Sequence, residues 1–174
     1  MKNKITRILF DRLKFVPFNE ETNHDNFLKF GNDILLYPIH INHRQDISST
    51  IGVVIRNNVS KKEIIYVPDT DDIDEHIFNV MENTKKHNNE ENILIIDGTF
   101  YNEKELLHRR NIKEIPHPLM EITMQKLKHG TNHFKIFFTH LNHTNPSLNV
   151  ESEEYQNVIQ NHFFIANDFM TIIF

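Results

Sequence analysis

Three segments of the chain share one design, an apolar run that breaks into a polar tip. Ile64-Ile65-Tyr66-Val67 leads to Pro68-Asp69-Thr70, Ile93-Leu94-Ile95-Ile96 to Asp97-Gly98-Thr99-Phe100, and Phe137-Phe138 through Thr139 to His140-Leu141-Asn142-His143-Thr144-Asn145-Pro146. Short apolar runs bounded by turn residues predict buried strands. The carboxylate or imidazole that follows each run is then carried to the strand's end. Three such tips in one short chain predict a single site assembled at one edge of a sheet.

The remaining pattern alternates strands with helices. Ile5, Ile8, Leu9 and Leu13 recur at helical spacing, which predicts a short amphipathic helix over Lys4 to Lys14. Strands are expected over about 33–41, 51–57 and 63–68, the last two joined by Asn58-Val59-Ser60-Lys61. Ile73, Ile77, Val80 and Met81 share one face of a helix whose first turn holds Asp71, Asp72 and Asp74, where carboxylates complement the macrodipole. A polar loop follows over 87–91. Next come a buried strand over 92–97, a short helix over 103–109, and a longer helix that Pro118 opens and Gly130 closes. Residues 133–140 read as a strand and 152–161 as a helix with Ser152 as N-cap. Phe163-Ala166 and Phe169-Phe174 read as a closing hairpin around Asn167-Asp168. The economical architecture is one α/β unit.

Composition narrows the function classes. The 174 residues are 39% hydrophobic and 25% charged, an ordinary globular balance, and suffice for one core. A formal net charge of -5 argues against a nucleic-acid partner held by phosphate contacts, which call for a basic face. The longest apolar runs fall far short of the roughly 20 residues that span a bilayer, and Asp11 interrupts Ile8-Leu9-Phe10 before a signal-peptide core can form. No membrane partner is expected. With no cysteine there is no disulfide or thiolate chemistry, which fits a cytoplasmic location.

Several short motifs, in order, carry a resemblance: His43-Arg44 followed by Ser49-Thr50-Ile51-Gly52, Tyr66-Val67-Pro68-Asp69, Asp97-Gly98-Thr99-Phe100, Ile115-Pro116-His117-Pro118, and the stretch from Thr139 to Pro146. Together they resemble the metallo-β-lactamase superfamily, in the branch that contains the coenzyme PQQ synthesis protein B. The resemblance runs from about Pro38 to the C-terminus and covers the later part of that family's domain. It implies that residues 1–174 form a single partial metallo-β-lactamase-like domain, the C-terminal part of an αββα sandwich. The family's His-x-His-x-Asp-His loop is missing; His40-Ile41-Asn42-His43-Arg44-Gln45-Asp46 has its histidines at a different spacing.

Each candidate residue has two readings. On spacing alone Asp69 is a turn or helix-cap aspartate; the resemblance makes it a carboxylate bridging metal ions. His140 alone is a strand-end histidine; by similarity it is the last metal ligand. Asp97 reads as a turn former and His117 as a helix-start residue, whereas the resemblance makes them a catalytic dyad in which the carboxylate orients an imidazole that protonates a leaving group. His43 and Arg44 are either a solvated loop or a pair that receives an anionic substrate group or braces the site. His143, Thr144 and Asn145 are expected to buttress His140. His87, His108, His129, His133 and His162 read as surface residues.

Metal arithmetic limits the activity this chain implies. A catalytic zinc usually has three protein ligands and water, and the motifs supply only Asp69 and His140. Zinc or another divalent metal is therefore expected to bind weakly. The primary expectation is a metal-dependent hydrolase acting on a small anionic or ester-like substrate, truncated at its N-terminus and impaired alone. The missing half would then be lost, or supplied by a partner or through a homo-oligomer. The alternative is a non-catalytic interaction protein that completes a partner's fold.

Overall fold

A computed structural model describes residues 28–44, 49–87, 91–105 and 116–174. Seven strands form one sheet in chain order: β1 (Leu28–Phe30), β2 (Ile34–Ile41), β3 (Thr50–Asn57), β4 (Glu63–Val67), β5 (Asn92–Asp97), β6 (Phe134–Thr139) and β7 (Phe163–Ile165). β1 to β4 are an antiparallel meander joined by short turns, and β4 to β7 run parallel. Among the described residues each parallel step is crossed by one α-helix: α1 (Glu75–His87), α2 (Met120–Leu127) and α3 (Glu153–Gln160). Crossovers of one hand between successive neighbours put all three helices on the same face. They close the main core there: Ile77 and Met81 of α1, Met120, Met124 and Leu127 of α2 and Val158 of α3 pack on Ile65, Leu94, Ile96, Ile136 and Phe138 of the sheet.

The opposite face is covered more thinly. Ile64, Ile93 and Phe137 are buried there beneath Phe164, Ala166, Ile172 and Phe174. The C-terminal segment is pinned across that face by Asn57 Nδ2 donating to the Phe174 carbonyl at 2.9 Å. Beyond its reach, Leu28, Phe30, Ile51 and Tyr66 stay exposed on the same face, as strand alternation and register place them.

Several element expectations are revised by packing. No closing hairpin forms. Phe163, Phe164 and Ile165 register against Ile136, Phe137 and Phe138 as a parallel seventh strand, and Phe163 stacks on Phe138 at 5.5 Å. The chain then turns, with Met170 N–H donating to the Asn167 carbonyl at 3.1 Å, and lies over the sheet without pairing. α1 begins only at Glu75 because Asp74 caps it, Oδ1 accepting from Ile77 N–H at 3.1 Å. Asp71 and Asp72 thus lie ahead of the helix, and α1 itself runs on through His87, where a loop was expected. Gly130 does not stop α2 by a left-handed turn. It sits inside a 3₁₀ segment, Lys128–Asn132, where a Cβ would come within 3.2 Å of Met81 Cε. Around 103 the helix is a single 3₁₀ turn, Glu103–Glu105. The expected helix at 4–14, His108 and the rest of 106–109 lie outside the described residues.

Candidate metal centre

The carboxyl ends of β4, β5 and β6 lie side by side, the position at which open parallel sheets bind ligands. Asp69 follows β4, Asp97 ends β5 and His140 follows β6, while His117 comes from the loop before α2. Asp69, Asp97, His117 and His140 each present a ligand atom, all within 4.8 Å of one another. The strand ends are held by backbone: Gly98 N–H donates to the Thr139 carbonyl at 2.9 Å, and Asn142 N–H to the Thr99 carbonyl at 2.9 Å. Gly98 is required because a Cβ there would meet Phe138 Cβ at 2.7 Å. His140 has a left-handed backbone, φ 61°, uncommon outside glycine and frequent at functional positions.

Asp97 is fully buried and its carboxylate is saturated. Oδ1 accepts from Thr99 N–H at 2.8 Å and from the Thr99 hydroxyl at 2.7 Å. Oδ2 accepts from Thr70 N–H at 3.2 Å and from His117 Nδ1 at 2.8 Å. An ionised carboxylate offers about four lone-pair sites, so Asp97 has none left for a cation and acts on its neighbours instead. Burial alone would push the His117 pKa down. The hydrogen bond to Asp97 and the charges of Asp97, Asp69 and Asp71 outweigh it, and the imidazole is held above the ordinary histidine range.

Asp69 is different. Its Oδ1 is buried without a hydrogen-bond partner, yet His43 Nε2 lies 3.2 Å away and His117 Nδ1 3.5 Å away. His43 Nδ1 is tied to Asp71 Oδ1 at 2.9 Å, a carboxylate–imidazole pairing that turns the other ring nitrogen toward Asp69. An anionic oxygen facing nitrogens in this way calls for a shared positive charge, a proton or a metal cation. The residue types, carboxylate and imidazole, are those that bind zinc, so the donor set fits a divalent metal. The His117 ring has the rings of both His43 and His140 as neighbours, with centroids 5.4 and 5.5 Å away.

Five of the six residues singled out in the sequence therefore meet. The sixth, Arg44, is exposed beside His43, with its backbone left-handed at φ 41°. Asp71 and Thr99 were missed. Asp71 was absorbed into an acidic helix start, and Thr99 had a legible signal, since a threonine two residues after a turn aspartate can bond back to it. The expected buttress is indirect: Asn145 Nδ2 donates to the carbonyls of Gly98 and Thr99 at 2.9 and 3.3 Å, and the Thr144 hydroxyl donates to Glu105. His143 is exposed.

This sheet, with its site at the parallel strand ends, has the metallo-β-lactamase fold: it matches the metallo-β-lactamase fold protein YhfI from Bacillus subtilis with a TM-score of 0.53 at 13% identity, over 94% of this chain and 58% of that one. It matches the zinc-bound PqqB of Methylobacterium extorquens with a TM-score of 0.66 at 18% identity, over 86% of this chain and 54% of that one. In sequence the chain is similar to coenzyme PQQ synthesis protein B. The identity is 29% over 139 residues with the protein of Nitrosococcus oceani and 26% over 145 residues with that of Methylococcus capsulatus, covering 75% and 78% of this chain. The matches span 42% and 45% of those relatives, less than half their length. No protein-family model matches. Among the described residues no helix is long and apolar enough to cross a membrane.

Proposed function

We propose that the chain carries the later half of a metal-dependent hydrolase site, with the remaining donors supplied by further polypeptide of the same kind. The observation that supports this reading is the convergence of Asp69, His140 and the Asp97–His117 pair from four separate segments, with a buried carboxylate oxygen of Asp69 left without a partner. Asp69 and His140, whose ligand atoms lie within 4.8 Å of each other, would hold a divalent cation, zinc by analogy with the PqqB structure. Bound there, the cation would supply a hydroxide at neutral pH and polarise a carbonyl or phosphoryl group. His43, held by Asp71, faces Asp69 at 3.2 Å and would brace that ligand from beside the cation, one of the two roles the sequence offered it.

His117 is the acid of the site. Asp97 raises its affinity for a proton and it lies beside Asp69, so it can pass a proton to a departing alkoxide. A small anionic or ester-like substrate suits three imidazoles and leaves Arg44 at the rim for its charge. Asp69 and His140 alone, from one side of the cation, hold it weakly, so the chain alone is impaired. The test mixes the purified chain with the first half of a coenzyme PQQ synthesis protein B and assays ester and lactone hydrolysis with and without zinc. Zinc-dependent hydrolysis that requires both parts and is lost in His117→Ala is expected. Equal turnover by the chain alone, or none with both parts, overturns the reading.

A further inference from the structure

We infer that Thr99 is a positioning residue that sets the tautomer of His140, relaying the charge of Asp97 to the far imidazole through its hydroxyl. The Thr99 oxygen lies 2.7 Å from Asp97 Oδ1 and 2.9 Å from His140 Nδ1. A hydroxyl has one proton, and an ionised carboxylate can only accept. The proton therefore points at Asp97, and the hydroxyl oxygen is left to accept from His140. That fixes Nδ1 of His140 as the protonated nitrogen and leaves the lone pair on Nε2.

The hydroxyl's direction is over-determined. Thr99 N–H binds the same Asp97 oxygen at 2.8 Å, and the Thr99 carbonyl accepts from Asn142 N–H and from Asn145 Nδ2. The backbone is thereby fixed on both sides of the side chain, and β-branching restricts its rotamer. His117 differs within the same site, because it reaches Asp97 directly through Oδ2 at 2.8 Å and makes only a longer 3.3 Å contact with the Thr99 hydroxyl. One buried carboxylate thus orients two rings, one by contact and one through Thr99. The consequence for metal binding rests on the proposed ligand role of His140, but the tautomer does not.

The experiment is long-range ¹⁵N–¹H correlation of the histidine rings in the metal-free 174-residue chain, for the wild type, Thr99→Ser, Thr99→Val and Thr99→Ala. Wild type and Thr99→Ser should show His140 protonated at Nδ1. Thr99→Val and Thr99→Ala should shift it toward the Nε2-protonated form, while His117, which loses only its 3.3 Å contact with the hydroxyl, keeps Nδ1 protonated toward Asp97 and so reports that the fold and Asp97 are intact. Zinc titration of the same proteins should then show weakening on the order of tenfold in the Val and Ala variants and recovery in Ser. His140 protonated at Nε2 in the wild type, or unchanged in both hydroxyl-free variants with His117 intact, overturns the inference. Failure of the wild type to bind zinc, with the tautomers as expected, would instead sink the proposed function.

Discussion

His117 is the residue at which the electrostatics of the site can be read most directly. Its pKa is lifted by the Asp97 hydrogen bond and by three carboxylates against the opposing effect of burial. A histidine whose folded pKa exceeds its unfolded value, about 6.5, adds stability that is fully present below that value. The increment is lost as pH rises through the raised folded pKa. Asp97→Asn removes both the charge and one acceptor, so in the metal-free chain the His117 titration should move to lower pH and the extra stability at acidic pH should vanish. NMR titration of the ring and denaturation at two pH values check this; an unmoved titration would mean that another group holds the proton. Asp69, Asp97, His117 and His140 were legible in the sequence because each sits where an apolar run or a proline marks an element's end. The partnership of His43 with Asp71 was not, because the two are brought together across β3 and β4 by folding, and no local pattern records that.

At the scale of elements, the site depends on how closely β5 and β6 approach. Gly98 permits that approach, and its replacement by alanine drives a Cβ into Phe138 Cβ, an atom fixed to its own backbone. Gly98→Ala should destabilise the fold by about 1–3 kcal/mol and displace Asp97 and Thr99 from their partners, as chemical denaturation and the ring signals of His117 and His140 would show. Unchanged stability would mean that the strands separate without cost. Ser152 is a control at a distance, since its hydroxyl accepts from Tyr155 N–H at 3.0 Å to cap α3. Ser152→Ala should cost about 1 kcal/mol and leave the histidine signals in place. The strand centres followed from hydrophobic runs because both sheet faces here are apolar. The last segment did not: Phe163–Ile165 carries the same signal in a hairpin as in a parallel edge, and only its packing against Phe138 decides between them.

The molecule as a whole is asymmetric. Among the described residues one sheet face is covered by three helices, whereas the other carries a C-terminal strap and leaves Leu28, Phe30, Ile51 and Tyr66 exposed. An apolar patch of this kind promotes association, so the purified chain should sediment as a species larger than its 20.8 kDa monomer. Replacing Phe30, Ile51 and Tyr66 together by serine or asparagine should return it toward the monomer. A wild-type chain that remains monomeric at high concentration would show that the strap suffices. The central claim, that this sheet edge is half of a metal site, is tested most directly by zinc K-edge X-ray absorption on the zinc-loaded chain. The account predicts a shell of nitrogen and oxygen donors that includes the His140 imidazole, lost in His140→Ala, and loss of the bound zinc in Asp69→Ala. A shell without imidazole, or one unchanged by these substitutions, would contradict it.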